Sequence, residues 1–89
     1  MFENETTIAW TALPRDTTVV GADGAEVGRV RYVLGDKDED IFHGIAMHRA
    51  HDGATVEVPW NRVKRLTEEH VVTDLSSDDV KTLPPYRER

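Results

Sequence analysis

Four histidines are the side chains of this sequence best suited to hold a metal ion: His43, His48, His51 and His70. Neutral imidazoles bind zinc and similar ions when three ligands converge. His43 and His48 are five residues apart, so a regular strand directs them to opposite faces. Only His48 and His51 can easily meet, around a turn at Asp52, whose carboxylate could join them. The alternative, which we favour, is a surface turn that carries histidines.

Catalytic side chains are harder to find in this chain. Nucleophilic catalysis needs a serine or cysteine beside a base, and the chain has no cysteine. Ser76 and Ser77 precede a short helical pattern and are better explained as helix caps. No carboxylate lies within an apolar run that would suit it to general acid catalysis. We therefore predict neither enzyme activity nor a bound cofactor.

The acidic segment 35–40 resembles a calcium-binding loop in one respect. Asp36, Asp38 and Asp40 alternate, as the first ligands of such a loop do. The glycine expected at the sixth position is replaced by Ile41, and the glutamate expected at the twelfth by Met47. A solvated hairpin loop is the better interpretation.

The formal charge of −6 disfavours nucleic acid as a partner, because binding to phosphates needs clustered cations. The basic residues gather around Arg29 and Arg31 and again around Arg62, Lys64 and Arg65, but Glu68 and Glu69 follow closely. Phosphate binding to RNA through Arg29, Arg31, Arg62 and Arg65 is the least favoured of our hypotheses.

Aromatic side chains are the best candidates for contact with another protein. Trp60 ends an alternating strand, so we expect it in the core. Phe2, Trp10, Phe42 and Tyr86 are less well explained by a core. Rigid rings exposed on a small domain bury much area at low entropic cost when a partner binds. We predict a homodimer that uses the N-terminal segment or the face that carries Phe42.

Length and composition predict one small domain. The 89 residues are 38% hydrophobic and 31% charged, which is ordinary for a folded protein. We expect an N-terminal extension over residues 1–15, a domain over 16–86 and a tail over 87–89. No apolar run is long enough to cross a membrane, and the first five residues lack the pattern of a signal peptide. The predicted location is cytoplasmic.

Short β-branched or alternating segments predict strands at 17–20, 26–34, 41–47 and 55–60, then a pair at 63–66 and 70–75. Asp-Gly turns follow the first and third strands, at Gly24 and Gly53. A glycine inside a strand indicates close packing, which we expect at Gly28. After Ser76 or Ser77, a short helical turn directs Val80 and Leu83 inward. The fold class expected is mainly β, a small antiparallel barrel.

These segments carry a family resemblance over roughly residues 17–86. Asp23-Gly24-x-x-Val27-Gly28-x-Val30, Val58-Pro59-Trp60-x-x-Val63, Val72-Thr73-Asp74-Leu75 and Leu83-Pro84-x-Tyr86 resemble the PRC-barrel family. That family includes the cytoplasmic domain of the photosynthetic reaction centre H subunit, the C-terminal domain of a ribosome maturation factor and many small stand-alone bacterial proteins. Many members have Val-Lys-Asp-Val where this chain has Val30-Arg31-Tyr32-Val33, so any role of that acid is absent here.

The resemblance implies assembly and protein contact rather than catalysis, and it carries no active-site residues over to this chain. We therefore predict a non-catalytic PRC-barrel protein that mediates protein–protein interaction, through self-association or docking. The alternative is a small-ligand or metal-binding protein that uses His48, His51 and Asp52 or the mouth of the barrel.

Overall fold

A computed structural model describes residues 2–87 and shows a mainly β protein with one short helix. Two single 3-10 turns, Trp10–Ala12 and Trp60–Arg62, lie before the first strand and between the fourth and fifth strands. The regular elements are β1 (Thr18–Val20), β2 (Glu26–Asp36), β3 (Ile41–Arg49), β4 (Thr55–Pro59), β5 (Val63–Leu66), β6 (His70–Thr73) and α1 (Ser77–Lys81).

The strands form one sheet in the order β4-β3-β2-β1-β6-β5. Four neighbouring pairs are antiparallel, as predicted, but β1 and β6 run parallel. The sheet is therefore mixed, and the prediction of a wholly antiparallel arrangement is wrong. The cause is the link from β4 to β5, a single 3-10 turn that does not reverse the chain as a hairpin does.

That short link also curls the sheet. β4 and β5 are its two edges, and a flat sheet of six strands would separate them by about 24 Å. The four peptide units from Pro59 to Val63 span at most about 14 Å, so the edges must approach each other there. No pairing of β4 with β5 is present within residues 2–87. The sheet is open, and the closed barrel is not confirmed.

A bulge in β2 changes which side chains face the core. Val30 pairs with Met47, but Tyr32 pairs with the next residue of β3, Ala46. The extra residue, Arg31, shifts the alternation by one position. Tyr32 is consequently 38% exposed, whereas strict alternation would place it on the same face as buried Val30.

The core lies on the curled side of the sheet. Its largest fully buried side chains include Ile45, Met47, Leu75, Val19, Val30 and Val58. Val80 of α1 joins this cluster, and Leu83 packs against it, which confirms the predicted inward direction of both. Trp60 does not join it. Our prediction of Trp60 in the core is wrong, because the residue is 61% exposed.

Both sheet edges are covered by the ends of the chain. On β4, the amide of Glu57 donates to the carbonyl of Pro84 at 2.9 Å, and the amide of Tyr86 donates to that of Thr55 at 3.0 Å. On β5, the amide of Ile8 donates to the carbonyl of Leu66 at 2.9 Å. Unpaired edges invite uncontrolled strand addition, so these segments protect the sheet. Residues 88 and 89 of the predicted tail lie outside the described residues.

The predicted helical turn is confirmed as α1. Ser76 is its N-cap: the Ser76 hydroxyl accepts from the amide of Asp79 at 3.1 Å, and the Asp79 carboxylate accepts from the amide of Ser76 at 3.0 Å. At the other end, the Arg49 guanidinium donates to the carbonyls of Val80 and Lys81 at 3.0 and 3.2 Å. These bonds satisfy backbone groups that a helix end leaves unpaired.

Candidate functional site

The most exposed large hydrophobic side chain among residues 2–87 is Trp60. Pro59 is the last residue of β4 and pairs with Gly44. A proline has no amide hydrogen for a sheet ladder, and the chain leaves the strand at the next residue. Trp60 starts the 3-10 turn, which is closed when the amide of Val63 donates to the Trp60 carbonyl. The ring therefore no longer follows the alternation of β4.

Trp60 stands over a shallow groove of about 360 Å³. Four half-buried apolar side chains line it and also pack against the core: Ile8, Phe42, Val63 and Leu66. The charged residues of its lining are both cations, Lys64 and Arg65. We call this surface the Trp60 groove. It combines an exposed indole, an apolar lining and positive charge in a chain whose formal net charge is −6.

The N-terminal segment supplies one side of the groove, since Ile8 is held there by its bond to Leu66. Farther along the same segment, a Glu5 carboxylate oxygen accepts from the Thr67 hydroxyl at 2.6 Å and lies 2.9 Å from His70 Nδ1. The other oxygen lies 2.7 Å from the same nitrogen. Phe2 stacks on the His70 ring with 4.0 Å between centroids. We call these contacts the Glu5 clasp.

The Glu5 clasp is sensitive to acid. The hydrogen bond from Thr67 lowers the pKa of Glu5 below its ordinary value, and His70 and the Arg65 charge act in the same direction. A carboxyl with a lowered folded-state pKa stabilises the fold above its unfolded pKa, and that stabilisation is lost as the pH falls through the folded value. Acid therefore weakens the attachment of the N-terminal segment to β5 and β6.

We expect Glu5→Gln to lower the melting temperature at neutral pH and to reduce its drop between about pH 5 and pH 3, measured by thermal unfolding at a series of pH values. Asp52, Asp74 and Asp79 also have lowered pKa values, so part of the acid dependence persists. Glu69→Gln is the control, because it removes an exposed carboxylate from the turn between β5 and β6. Equal curves for the two variants would contradict the clasp.

The four aromatic residues predicted as an interface are half-buried, and each of them packs on another ring of the protein. Trp10 packs on Phe42 with 5.9 Å between centroids and donates from Nε1 to an Asp40 carboxylate at 3.1 Å. Tyr86 packs on Tyr32 at 5.4 Å, and Phe2 belongs to the Glu5 clasp. Of the four, Phe42 lines the Trp60 groove. Their role as an interface stays a prediction.

In the metal site hypothesised at His48, His51 and Asp52, the aspartate is already bonded to an arginine. Asp52 accepts from Arg49 at both carboxylate oxygens, at 3.0 and 2.7 Å, and this bond holds the pKa of Asp52 well below its ordinary value. His51 Nε2 lies 3.7 Å from the same carboxylate, and His48 is exposed on β3. Within residues 2–87, no three His, Asp or Glu side chains are grouped so that they could hold a metal ion.

The arginines of the RNA hypothesis are separated and mostly engaged within the protein. Arg62 donates to Asp74 at 2.6 Å and to Asp79 at 2.8 Å. The bond to Asp74 lowers the pKa of that carboxyl. The pKa of Asp79 is lowered by the hydrogen bond from the Ser76 amide and also by the bond from Arg62. Arg65 donates to the Glu3 and Glu5 carbonyls. Arg29 lies 3.7 Å from Glu26, and the Arg31 guanidinium lies over the Tyr32 ring.

A second cleft borders the C-terminal segment. Two adjoining cavities of about 370 and 450 Å³ share Leu34, His43 and Glu57 in their lining. Arg62, which lines the first cavity, is already bonded to two carboxylates, and Arg87 lines the second. The alternative of a small-ligand protein that uses His48, His51 and Asp52 or the mouth of the barrel stays a prediction.

The Trp60 groove was not predicted from the sequence. A local signal for it was present: Pro59 directly before Trp60 indicates the end of a strand, so the alternation should not have been extended to the tryptophan. The contribution of Ile8 to the groove had no local signal, because it depends on pairing with a strand almost sixty residues away.

No protein-family model matches this chain, and no significant match to a curated protein was found. The resemblance to the PRC-barrel family therefore stays a prediction. Among residues 2–87, no helix has both the length and the apolar character needed to span a membrane.

Proposed function

We propose that this chain is a non-catalytic, cytoplasmic PRC-barrel protein that mediates protein–protein interaction or assembly, and that the Trp60 groove is its contact surface. The observation that carries the proposal is the 61% exposure of Trp60 above a groove with an apolar lining. Tryptophan is among the side chains that dominate the energy of protein interfaces. A small curled sheet with a short terminal helix is compatible with the proposed family.

The architecture explains how such a small domain can keep an apolar surface available. The N- and C-terminal segments cover β5 and β4, so unpaired backbone groups of these strand edges do not compete with the exposed side chains for a partner. The turn Trp60–Arg62 is held on its far side by the bonds from Arg62 to Asp74 and Asp79. A preorganised surface loses less conformational entropy on binding, which favours interaction through this turn.

Trp60→Ser tests the proposal, because it removes the indole from an exposed position and leaves the core intact. We expect partner affinity to fall at least about 30-fold, equivalent to about 2 kcal/mol. Proteins retained by the immobilised domain from a lysate are identified by mass spectrometry, purified, and titrated against wild type and variant by calorimetry.

Tyr32→Ser is the matched control, since Tyr32 is an exposed aromatic residue on β2 that does not line the Trp60 groove. Partners that bind wild type and Tyr32→Ser alike, and bind Trp60→Ser weakly, support the proposal. Equal affinity of all three proteins for every captured partner would contradict it.

A further inference from the structure

We propose that the Trp60 groove receives the acidic tip of the β2–β3 hairpin from a second copy of this chain, so that two chains form a symmetric dimer. This inference rests on the proposed function and names the partner. The tip comprises residues 36–41. Its acidic charge complements the cationic lining of the groove.

The tip has the shape and chemistry of a docking element. It projects where β2 ends at Asp36 and β3 begins at Ile41. The Asp36 carboxylate accepts from the amides of Asp38 and Glu39 at 3.0 and 3.3 Å, which fixes the turn. The carboxylates of Asp38 and Glu39 make no ion pair with any of residues 2–87. They are available to a partner.

The tip also offers an apolar side chain. Ile41 is 43% exposed and is second only to Trp60 among the large hydrophobic residues that the structure describes as exposed. An acidic turn followed by an exposed isoleucine matches a groove that offers an indole, an apolar lining and two cations. Docking would cover the two most exposed large apolar side chains in one contact. The burial of apolar surface is the main favourable term in association.

One of the two cations of the groove, Lys64, is accessible from outside, and the other, Arg65, is partly buried. Lys64 has 55% of its side chain exposed and lies 3.4 Å from Asp74, an exposed ion pair of small energetic value. Arg65 is held against the N-terminal segment by its bonds to backbone carbonyls rather than to a carboxylate of residues 2–87. An acidic tip therefore meets positive charge that the chain itself does not fully neutralise.

The position of the tip beside the groove allows a closed dimer. Phe42 lines the groove and directly follows Ile41, so the two halves of the contact are neighbours on one molecule. The bond from Trp10 to Asp40 and the packing of Trp10 on Phe42 anchor the tip. In a two-fold interface the same patch serves both subunits. Each tip then enters the partner's groove, and the assembly ends at two chains.

Charge reversal tests this arrangement. One variant reverses the tip, with Asp38→Lys and Glu39→Lys; the other reverses the groove, with Lys64→Glu. We expect wild type to dimerise with rising concentration in sedimentation velocity, and each variant alone to self-associate at least about tenfold more weakly. An equimolar mixture should recover the dimer, because the reversed tip meets the reversed groove and the native tip meets the native groove.

Each outcome decides the inference. Recovery in the mixture supports reciprocal docking. A wild type that stays monomeric at all concentrations, or variants that dimerise as well as wild type, would overturn it. If the wild type is monomeric, the Trp60→Ser titrations still test the proposed function. A groove that binds only an acidic segment of another protein would leave the chain monomeric, and the binding of that protein would still depend on Trp60. Circular dichroism of both variants, expected to match wild type, verifies that they fold.

Discussion

Gly44→Ala is expected to reduce the free energy of unfolding by about 3 to 5 kcal/mol, which is a large part of the roughly 5 to 13 kcal/mol available to a domain of this size. Gly44 has φ of +136°, a conformation that side chains rarely adopt. An added Cβ would also collide with the Val58 carbonyl and lie 3.1 Å from Pro59 Cα. Neither backbone group can move without separating β3 from β4.

Gly53→Ala is a control that has positive φ but no collision. Gly53 also has positive φ, +72°, but an added Cβ there meets nothing within 4 Å. We expect this control to lose only about 1 kcal/mol. Chemical denaturation of wild type and both variants measures the difference. Similar losses for the two variants would show that β4 does not approach Gly44 as closely as the structure has it. Because Gly44 pairs with Pro59, that result would also undermine the placement of Trp60.

Gly28→Val is expected to reduce the free energy of unfolding by about 2 to 4 kcal/mol. Gly28 lies in the middle of the sheet, paired with Val19 on one side and Arg49 on the other. An added Cβ would collide with the His48 carbonyl and lie 2.8 Å from the sulfur of buried Met47. The larger valine has no space on that face, so β2 and β3 would have to separate.

Arg29→Val is the control for strand propensity, since it places the same side chain at the exposed neighbouring position of β2. We expect its melting temperature to lie close to that of wild type, and that of Gly28→Val to fall by about 10 °C or more. An unchanged melting temperature for Gly28→Val would contradict the register of β2 with β3.

Local patterns were sufficient to predict most strands and the helix cap. Thr55–Pro59 alternates cleanly, and Ser76 and Asp79 have the spacing of a capping box. The errors arise where one residue changes the geometry. Arg31 forms a bulge that turns Tyr32 outward, and Pro59 ends a strand one residue before Trp60. Each reverses the expected burial of the aromatic side chain that follows it.

Contacts between distant parts of the chain could not be predicted from spacing. Glu5 and His70 are 65 residues apart and meet because the N-terminal segment lies along β5. The parallel pairing of β1 with β6 likewise depends on how many times the chain reverses between them. The candidate site shares this property, since the Trp60 groove is assembled from the N-terminal segment, β3, the Trp60 turn and β5.

The most direct test of the Trp60 groove as a contact surface is the solvent accessibility of the Trp60 indole before and after association. In protein labelled with nitrogen-15, a soluble paramagnetic gadolinium chelate enhances relaxation of indole hydrogens that face solvent. We predict strong enhancement for Trp60 in the dilute protein, and a fall towards the value of the buried Ile45 amide when the second copy or a captured partner is bound. Enhancement at Trp60 that stays strong while the second copy or the captured partner is bound would contradict our account.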